Sequence, residues 1–346
     1  MNIKSATVYG LFGVFEHTVT FNPNGITFIH SCNGIGKTVF LKLIVHVLKG
    51  DIDKLTEMPF DRLDISFDDD TNLIIENDET PILIQMQKNE LEEELTSEEL
   101  QELKNITLIS AERTTIRKND GRLMYALDAY LEELEDDFLT AKEETAIDIS
   151  DISIDYDLGD DEIESMLRDL KSKTDYMQNA GLRITVPVEL RLPPSRYDIN
   201  KSHDKYLKLT EALKRYVDSN YSLAESIVVY QDIVNSFFTN KKMRIVNGRI
   251  IVSAHDKENL SLETLSSGEK QILIMFYRVL FQAEPSSLVI IDEPEISLHV
   301  SWQQRIGTVL NDICRLRDLQ IVIATHSPQI IHDMWDLANE LRPDRA

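Results

Sequence analysis

Apolar and polar residues alternate near the start of the chain, which is the period of β-strands. ATVYGLF and HTVTF predict a hairpin or meander, and NGITFIH predicts a buried strand. GKTVFLKLIVHVLKG has helical spacing and ends at Gly50. LDISFDDDTNLIIEN and TPILIQMQ predict further antiparallel strands. LTSEELQELK predicts a short helix with Thr96 and Glu99 at capping-box spacing, and NITLISAER predicts a strand that leads into a loop.

The period changes to that of helices in the middle of the chain. Three segments there have helical spacing: MYALDAYLEELEDDFLTAKEE, DDEIESMLRDLKSKTDYMQNAG and KYLKLTEALKRYVDSNYSLAESIVVYQDIVNSFFTNKK. The prolines of VPVELRLPPS exclude a helix between the last two. We therefore predict an inserted, mostly helical subdomain over residues 115–242.

Alternating strands and helices resume after the insertion. MRIVNGRIIVSA predicts a hairpin with a tight turn at Asn247 and Gly248. A helix after SSGEK, strand LVIID, helix SWQQRIGTVLNDICRLRD, strand LQIVIAT and a last helix from Pro328 follow. The predicted fold class is an α/β core, with a mixed sheet flanked by helices and an antiparallel N-terminal sheet. This core comprises residues 1–114 and 243–346, interrupted by the insertion.

Composition is that of a globular protein. The chain has 346 residues, of which 42% are hydrophobic and 28% charged. It has no run of about 18 apolar residues and no signal-peptide pattern, so we expect no membrane span. Cys32 and Cys314 are too few and too far apart for a disulfide framework, which favours a cytoplasmic location.

The net charge of −24 is unevenly distributed. Residues 81–170 contain 26 acidic and 8 basic side chains, whereas residues 182–216 contain 8 basic and 4 acidic ones. The acidic block is typical of solvated helical faces. The overall negative charge opposes non-specific binding to nucleic acid.

The stretch HSCNGIGKT has the spacing of a phosphate-binding loop, with Ser31 where that pattern has its first glycine. It lies between a predicted strand and a predicted helix. Gly34 and Gly36 allow the backbone N–H groups to converge on a phosphate, and the helix N-terminus adds partial positive charge. Lys37 is suited to the β and γ phosphates of ATP, and Thr38 to Mg²⁺.

Two later strands end in residues suited to phosphate chemistry. LVIIDEPE places Asp292 for Mg²⁺ and Glu293 for the attacking water. IVIATHSP places His326 as a hydrogen-bonding sensor of the γ-phosphate. Parallel strands bring their carboxyl ends to one edge of a sheet, so we expect these side chains beside the phosphate loop.

A fourth motif, LSSGEK, places Ser266, Ser267 and Gly268 at the start of a helix whose N–H groups can bind a second anion. Such a start is also common in ordinary helices. The four motifs follow one another in the order expected of one composite site, and this makes a functional role the better interpretation.

Together, SCNGIGKT, TLSSGEKQ, VIIDEPEISLH and ATHSP resemble the Walker A loop, signature, Walker B with D-loop, and switch histidine of ABC-type ATPases. EPEISLH, THSPQII and ISAER resemble the SMC-like branch that contains the overcoming-lysogenization-defect (OLD) family. The resemblance covers residues 1–114 and 243–335.

The resemblance implies a P-loop ABC-type ATPase that works as a head-to-tail homodimer, or as a higher oligomer built from it. Each ATP would lie between the Walker A loop of one copy and the signature of the other. Residues 297–299 would form the D-loop. Glu293, His326 and Lys37 would be catalytic, and Thr38 and Asp292 would bind Mg²⁺. The nucleotide-binding set would be Asn33, Gly34, Ile35, Gly36, Lys37, Thr38, Ser266, Ser267 and Gly268.

Two departures from the family pattern, Ser31 and Ser267, each replace a glycine. Serine tolerates unusual backbone angles at about 1 kcal/mol, so we expect slow turnover with binding retained. Two further features stay open. The Q-loop glutamine is not identified, since Gln85 and Gln87 lie on a predicted strand. The aromatic residue that would stack on adenine is not identified either, although Tyr9, Phe12 and Phe15 are within reach in the sequence.

The function implied is regulatory. Members of the OLD family carry a Toprim nuclease domain after the ATPase core, but this chain ends 20 residues after His326, so we expect no built-in nuclease. Similar bacterial anti-phage ATPases control a separately encoded effector, either a nuclease or a toxin. The alternative is a RecF-like DNA-repair clamp that uses residues 182–216 on DNA. A transporter cassette fits the motif spacing poorly.

Overall fold

A computed structural model describes residues 1–77, 82–88, 91–110, 115–117, 123–141, 144–154, 156–246, 248–254 and 257–342. Its helices are α1 (Lys37–Leu48), α2 (Ile52–Thr56), α3 (Ser97–Leu103), α4 (Ala126–Ala141), α5 (Asp160–Met177), α6 (Arg196–Lys201), α7 (His203–Phe237), α8 (Ser267–Tyr277), α9 (Val300–Arg317) and α10 (Pro328–Ile331). Its strands are β1 (Ile3–Leu11), β2 (Phe15–Thr20), β3 (Ile26–Ser31), β4 (Arg62–Phe67), β5 (Asn72–Glu76), β6 (Leu83–Lys88), β7 (Leu91–Glu94), β8 (Ile106–Ser110), β9 (Thr115–Arg117), β10 (Leu123–Tyr125), β11 (Glu144–Ala146), β12 (Arg183–Thr185), β13 (Lys242–Val246), β14 (Arg249–Ala254), β15 (Lys257–Leu260), β16 (Leu288–Asp292), β17 (Gln320–Thr325) and β18 (Ala338–Leu341).

A parallel sheet carries the ends of the predicted phosphate-binding strands. Its order is β18-β3-β17-β16-β8, and every neighbouring pair is parallel. β16 and β17 are buried at every position, which is why their sequences are continuous apolar runs and do not alternate. The carboxyl ends of β3, β16 and β17 therefore share one edge.

An antiparallel sheet with order β2-β1-β4-β5-β6-β7 forms the second layer. Burial alternates along β4 and β5, as their sequences predict. The same hydrophobic core contains the inward residues of this sheet and the apolar face of α1, including Phe40, Leu43 and Val47. This packing fixes the helix that follows the phosphate loop.

The chain forms two compact units. The first comprises Met1–Thr114, Ser266–Gln271 and Phe281–Ala346, and it contains both sheets. The second comprises Thr115–Leu265 and Ile272–Leu280. It contains α4 to α7, the hairpin β13-β14 with β15, and most of α8.

Aromatic packing joins α8 to other helices within the second unit. Tyr277 stacks on Tyr130 at 5.2 Å between ring centroids, and Phe276 packs on Phe237 at 5.6 Å. The Tyr230 hydroxyl donates to the Leu273 carbonyl oxygen at 2.9 Å. A π-helical turn, Arg278–Gln282, follows α8.

The predicted α/β fold class is confirmed, and the strands and helices expected from periodicity are present. The capping box at Thr96 and Glu99 is also present. The helix predicted from Pro328 is only four residues long, and β18 follows it. Asn247 and residues 111–113 lie outside the described residues. The division at residues 114 and 242 stays a prediction. Within the described ranges, no helix is long and apolar enough to cross a bilayer.

Candidate nucleotide-binding site

The loop between β3 and α1 has the backbone that a phosphate-binding loop needs. Gly34 and Gly36 have φ values of +86° and +88°, a region that favours glycine. A Cβ atom at Gly36 would lie 2.5 Å from Leu11 Cδ2, so a larger residue does not fit there. The first turn of α1 has no side-chain cap. Its N-terminal N–H groups therefore need another acceptor, and an anion provides one.

Ser31 and Ser267, the two serines that replace family glycines, have ordinary backbone conformations. Ser31 is the last residue of β3, and Ser267 is the first residue of α8. Neither has a positive φ. The expected strain of about 1 kcal/mol at these serines is therefore wrong, because neither position needs a left-handed backbone.

A buried cation and a buried carboxylate lie where the loop enters α1. Lys37 is 4% exposed, and within the described part of the chain its Nζ atom has no hydrogen-bond partner. Thr38 Oγ1 donates to Asp292 Oδ2 at 3.0 Å, while the buried Asp292 Oδ1 has no described partner. Buried polar groups are normally paired, so these atoms fit a site that a ligand completes.

Burial also shifts the titration of this pair. It lowers the pKa of Lys37, against the attraction of Asp292, Glu295 and Glu293. It raises the pKa of Asp292, which Thr38 and Lys37 partly oppose. Perturbed titratable groups at a cleft are typical of functional sites.

Glu293 and His326 form a connected pair beside the phosphate loop. Glu293 has a positive φ of 54°, and its N–H donates to the Ala324 carbonyl oxygen at 2.8 Å. His326 Nε2 lies 3.4 Å from Glu293 Oε1. Its Nδ1 lies 2.6 Å from the Ser31 carbonyl oxygen, so Nδ1 is the donor in that bond. His326 therefore links Glu293 to the end of β3.

Glu295 was not predicted as a site residue, but it contributes to the same network. Its Oε1 accepts the His326 N–H at 2.7 Å, and its Oε2 is buried with no partner among the described atoms. The signal was present in the sequence as the second glutamate of DEPE. We assign it to the site from its contacts.

The serines and glycine of LSSGEK begin α8 in a capping box. Glu269 Oε2 accepts from the Ser266 N–H at 2.8 Å and from Ser266 Oγ at 3.0 Å. A Cβ atom at Gly268 would lie 2.7 Å from the Ser297 carbonyl oxygen, so glycine allows residues 297–299 to approach. No hydrogen bond in the described structure joins Ser266 or Ser267 to the phosphate loop of the same chain.

A cleft at this edge of the parallel sheet brings several predicted residues together. Its lining consists of Thr38, Leu41, Lys42, Leu108, Ser110, Asp292, Glu293 and Ile296. Ser110, which the sequence did not single out, is the register neighbour of Asp292 on β8. Gln85 and Gln87 lie on β6 in the other sheet, where Gln87 donates to Glu92 at 3.0 Å. Neither glutamine lines the cleft.

Of the three aromatic candidates for adenine, Tyr9 and Phe15 are half-buried and Phe12 is exposed. Phe12 is 46% exposed, and its ring would lie 3.1 Å from a Cβ atom at Gly36. Phe15 instead stacks on His17. Phe12 is therefore the exposed aromatic ring beside the phosphate loop. On the loop itself, Asn33 is exposed and Ile35 is buried.

The chain has a P-loop fold of the SMC-head type. The fold matches the Smc head domain of Pyrococcus furiosus, solved with an extended coiled coil and bound to the C-terminal domain of ScpA. The TM-score is 0.50 at 14% identity, over 95% of this chain and 91% of that one.

Residues 33–332 match the family described as "AAA domain, putative AbiEii toxin, Type IV TA system". The chain belongs to this family.

Two curated relatives match parts of the chain. "Retron Ec83 probable ATPase" of Escherichia coli is 30% identical over an alignment of 200 residues, and the match covers 51% of this chain and 35% of the relative. "Protein ea59" of Escherichia phage lambda is 27% identical over an alignment of 146 residues, and the match covers 39% of this chain and 28% of the relative. The matches thus span about a third of each relative's length. The narrower likeness to the OLD branch stays a prediction.

Proposed function

We propose that the protein binds and hydrolyses ATP with Mg²⁺, and that it works as a head-to-tail homodimer. The observation that carries this proposal is the unpaired, buried Lys37 ammonium at the end of a glycine-shaped loop. Family membership and the relative described as a probable ATPase support the same activity.

Each residue has a role that follows from its position. The loop N–H groups and Lys37 bind the phosphates of ATP. Thr38 and Asp292 would hold Mg²⁺, which neutralises charge on the transferring phosphate when it is bound. Glu293 accepts a proton from the attacking water, and His326 orients Glu293 while it contacts the loop.

A second chain supplies the rest of the site. Ser266, Ser267 and Gly268 make no described hydrogen bond to their own phosphate loop, although their helix start is suited to an anion. A head-to-tail dimer would bring them to the partner's ATP.

Two substitutions test the catalytic assignment. Glu293→Gln removes the base and retains the phosphate contacts, so ATP binding should persist while hydrolysis falls by about 100-fold or more. Lys37→Ala should lose ATP binding. Calorimetry with ATP and a phosphate-release assay measure both quantities. Hydrolysis at the wild-type rate in both variants would show that the assignment is wrong.

The hydrolysis controls a separately encoded effector, a nuclease or toxin, in bacterial anti-phage defence. The family description and the retron relative support this context. Purification from the native operon should recover the product of a neighbouring gene with this chain. Recovery of a fully active protein that is indifferent to any neighbour would contradict it.

A DNA clamp is the second candidate, and one feature of the second unit favours it. Arg183, Arg191, Arg196 and Tyr197 all have exposed side chains there, and Arg196 precedes Tyr197 in the chain. Basic and aromatic side chains together are typical of single-strand and duplex binding. An ATP-dependent gel shift with duplex DNA would favour the clamp, and the lack of any shift at low salt would remove it.

A further inference from the structure

A buried histidine on β2 holds the backbone of the phosphate loop. His17 is 3% exposed and lies in phase with the buried Val19, on the inward face of the strand. Its Nε2 atom is 2.7 Å from the Ile35 carbonyl oxygen. A carbonyl oxygen only accepts, so Nε2 carries the proton in this bond.

This bond fixes the direction of the next N–H group. The peptide unit that joins Ile35 to Gly36 is planar and trans, so its C=O and N–H point in opposite directions. Because the carbonyl oxygen points to His17, the Gly36 N–H points away from the strand. A phosphate held by the loop would be bound by N–H groups that point into it, and this orientation leaves the Gly36 N–H free to be one of them.

The same hairpin holds this peptide in other ways. The His17 ring stacks on Phe15, with centroids 5.6 Å apart and an interplanar angle of 13°. Leu11 and Phe12 occupy the space where Gly36 would carry a Cβ atom. The Ile35 side chain is buried as well. The left-handed glycines on either side of Ile35 allow this peptide to rotate, and His17 opposes that rotation.

We propose that His17 is a positioning residue for nucleotide binding, because it holds the Gly36 N–H in the direction of the bound phosphate. This inference rests on the proposed binding of ATP by the same loop. Loss of the bond leaves a buried carbonyl without a donor, so the loop samples other peptide orientations and binds more weakly.

Two substitutions of His17, by glutamine and by asparagine, test the proposal, because each side-chain amide nitrogen replaces a different ring nitrogen. The nitrogen of His17→Gln occupies the place of Nε2 and should keep the bond, with ADP affinity within about threefold of wild type. The nitrogen of His17→Asn occupies the place of Nδ1 and should lose it, with ADP affinity weakened by about tenfold or more. Calorimetry with ADP measures both. Val19→Ala is the control, since it removes buried volume from the same strand face and should lower stability without changing affinity.

Amide hydrogen exchange gives a readout that does not depend on nucleotide. His17→Asn should speed exchange at residues 34–37 more than along β2, whereas Val19→Ala should do the reverse. Wild-type ADP affinity in His17→Asn would overturn the positioning role and leave the proposed function intact. Failure of the wild-type protein to bind ADP would overturn the proposed function itself.

Discussion

Gly36 combines two constraints that can be separated by experiment. Its φ is +88°, and Leu11 and Phe12 fill the space where a side chain would begin. Gly13 has a comparable φ of +69° with nothing within 4 Å of an added Cβ atom. Alanine at Gly13 should cost about 1 kcal/mol of unfolding free energy, and alanine at Gly36 clearly more, with loss of ADP binding. Denaturant unfolding measures the loss of unfolding free energy in each variant. Equal losses in the two variants would contradict the close contact between Gly36 and Leu11.

The ionised side chain of Asp292 should lower the stability of the folded protein at neutral pH. Burial raises its pKa, so the folded state binds the proton more tightly than the unfolded state does. The ionised carboxylate therefore costs stability at neutral pH, and this cost disappears as the pH falls from the raised pKa towards 3.8. Asp292→Asn should raise the melting temperature at pH 7 by about 2 °C or more.

The gain from Asp292→Asn should shrink as the pH is lowered, because the wild-type carboxyl then becomes neutral as well. Asp51 is the matched control, since its hydrogen bond with Lys54 lowers its pKa. The stability that Asp51 contributes is present above 3.8 and lost as the pH falls through its lowered pKa. Asp51→Asn should therefore not raise the melting temperature. A lower melting temperature for Asp292→Asn than for wild type at pH 7 would contradict the argument.

At single positions, the sequence identifies candidate motif residues but not the residues that hold them in place. Lys37 and Asp292 follow from spacing alone, because a phosphate loop and a strand-end carboxylate have local signatures. His17 does not, since its partner, the Ile35 carbonyl, is a backbone atom that only the folded chain brings near. Its one signal is a polar residue in phase with buried positions of β2.

The start of α8 serves two purposes that substitutions can distinguish. Ser266 caps the helix with Glu269, and in the proposed dimer its hydroxyl faces the partner's ATP. Ser266→Asp keeps a good cap but adds negative charge, so the melting temperature should persist while ATP-dependent dimerisation is lost. Ser266→Thr should keep both the wild-type melting temperature and ATP-dependent dimerisation.

Light scattering of these two variants, each combined with Glu293→Gln, measures the dimer. A stable dimer in the Ser266→Asp variant would place the serine away from nucleotide. Ser266→Ala, which lacks a cap, should lose about 1 kcal/mol of stability and so reports the cap separately.

Among whole elements, length and periodicity decide what the sequence can predict. The long α5 and α7 and the continuous apolar strands β16 and β17 have strong patterns. The strands that it does not predict have three or four residues, as in β7, β12 and β18. Such short strands exist because a neighbouring strand pairs with them, and single sequences do not encode that partner.

At the scale of the molecule, the net charge predicts how salt affects the proposed homodimer. Each copy carries −24, so two copies repel at low ionic strength. Screening becomes effective as salt rises to about 0.15 M, where the Debye length is about 8 Å. The affinity between the two copies in the ATP-bound dimer of Glu293→Gln should therefore rise over that range.

The affinity for DNA bound through residues 182–216 should fall over the same range, because counterion release from the phosphates favours binding less as the salt concentration rises. One salt titration thus distinguishes the two candidate functions.

The passage of the chain through α8 limits how this protein can be dissected. Residues 272–280 belong to the second compact unit, although residues on both sides belong to the first. Ile272, Leu273, Met275, Phe276 and Val279 are all fully buried. Excision of residues 115–265 would expose the apolar side chains of residues 272–280 to solvent, and such an exposed apolar patch promotes aggregation. The helical unit is therefore not a detachable cassette. Swaps between homologues should exchange it together with residues 272–280, and chimeras should place their junctions after residues 114, 265, 271 and 280.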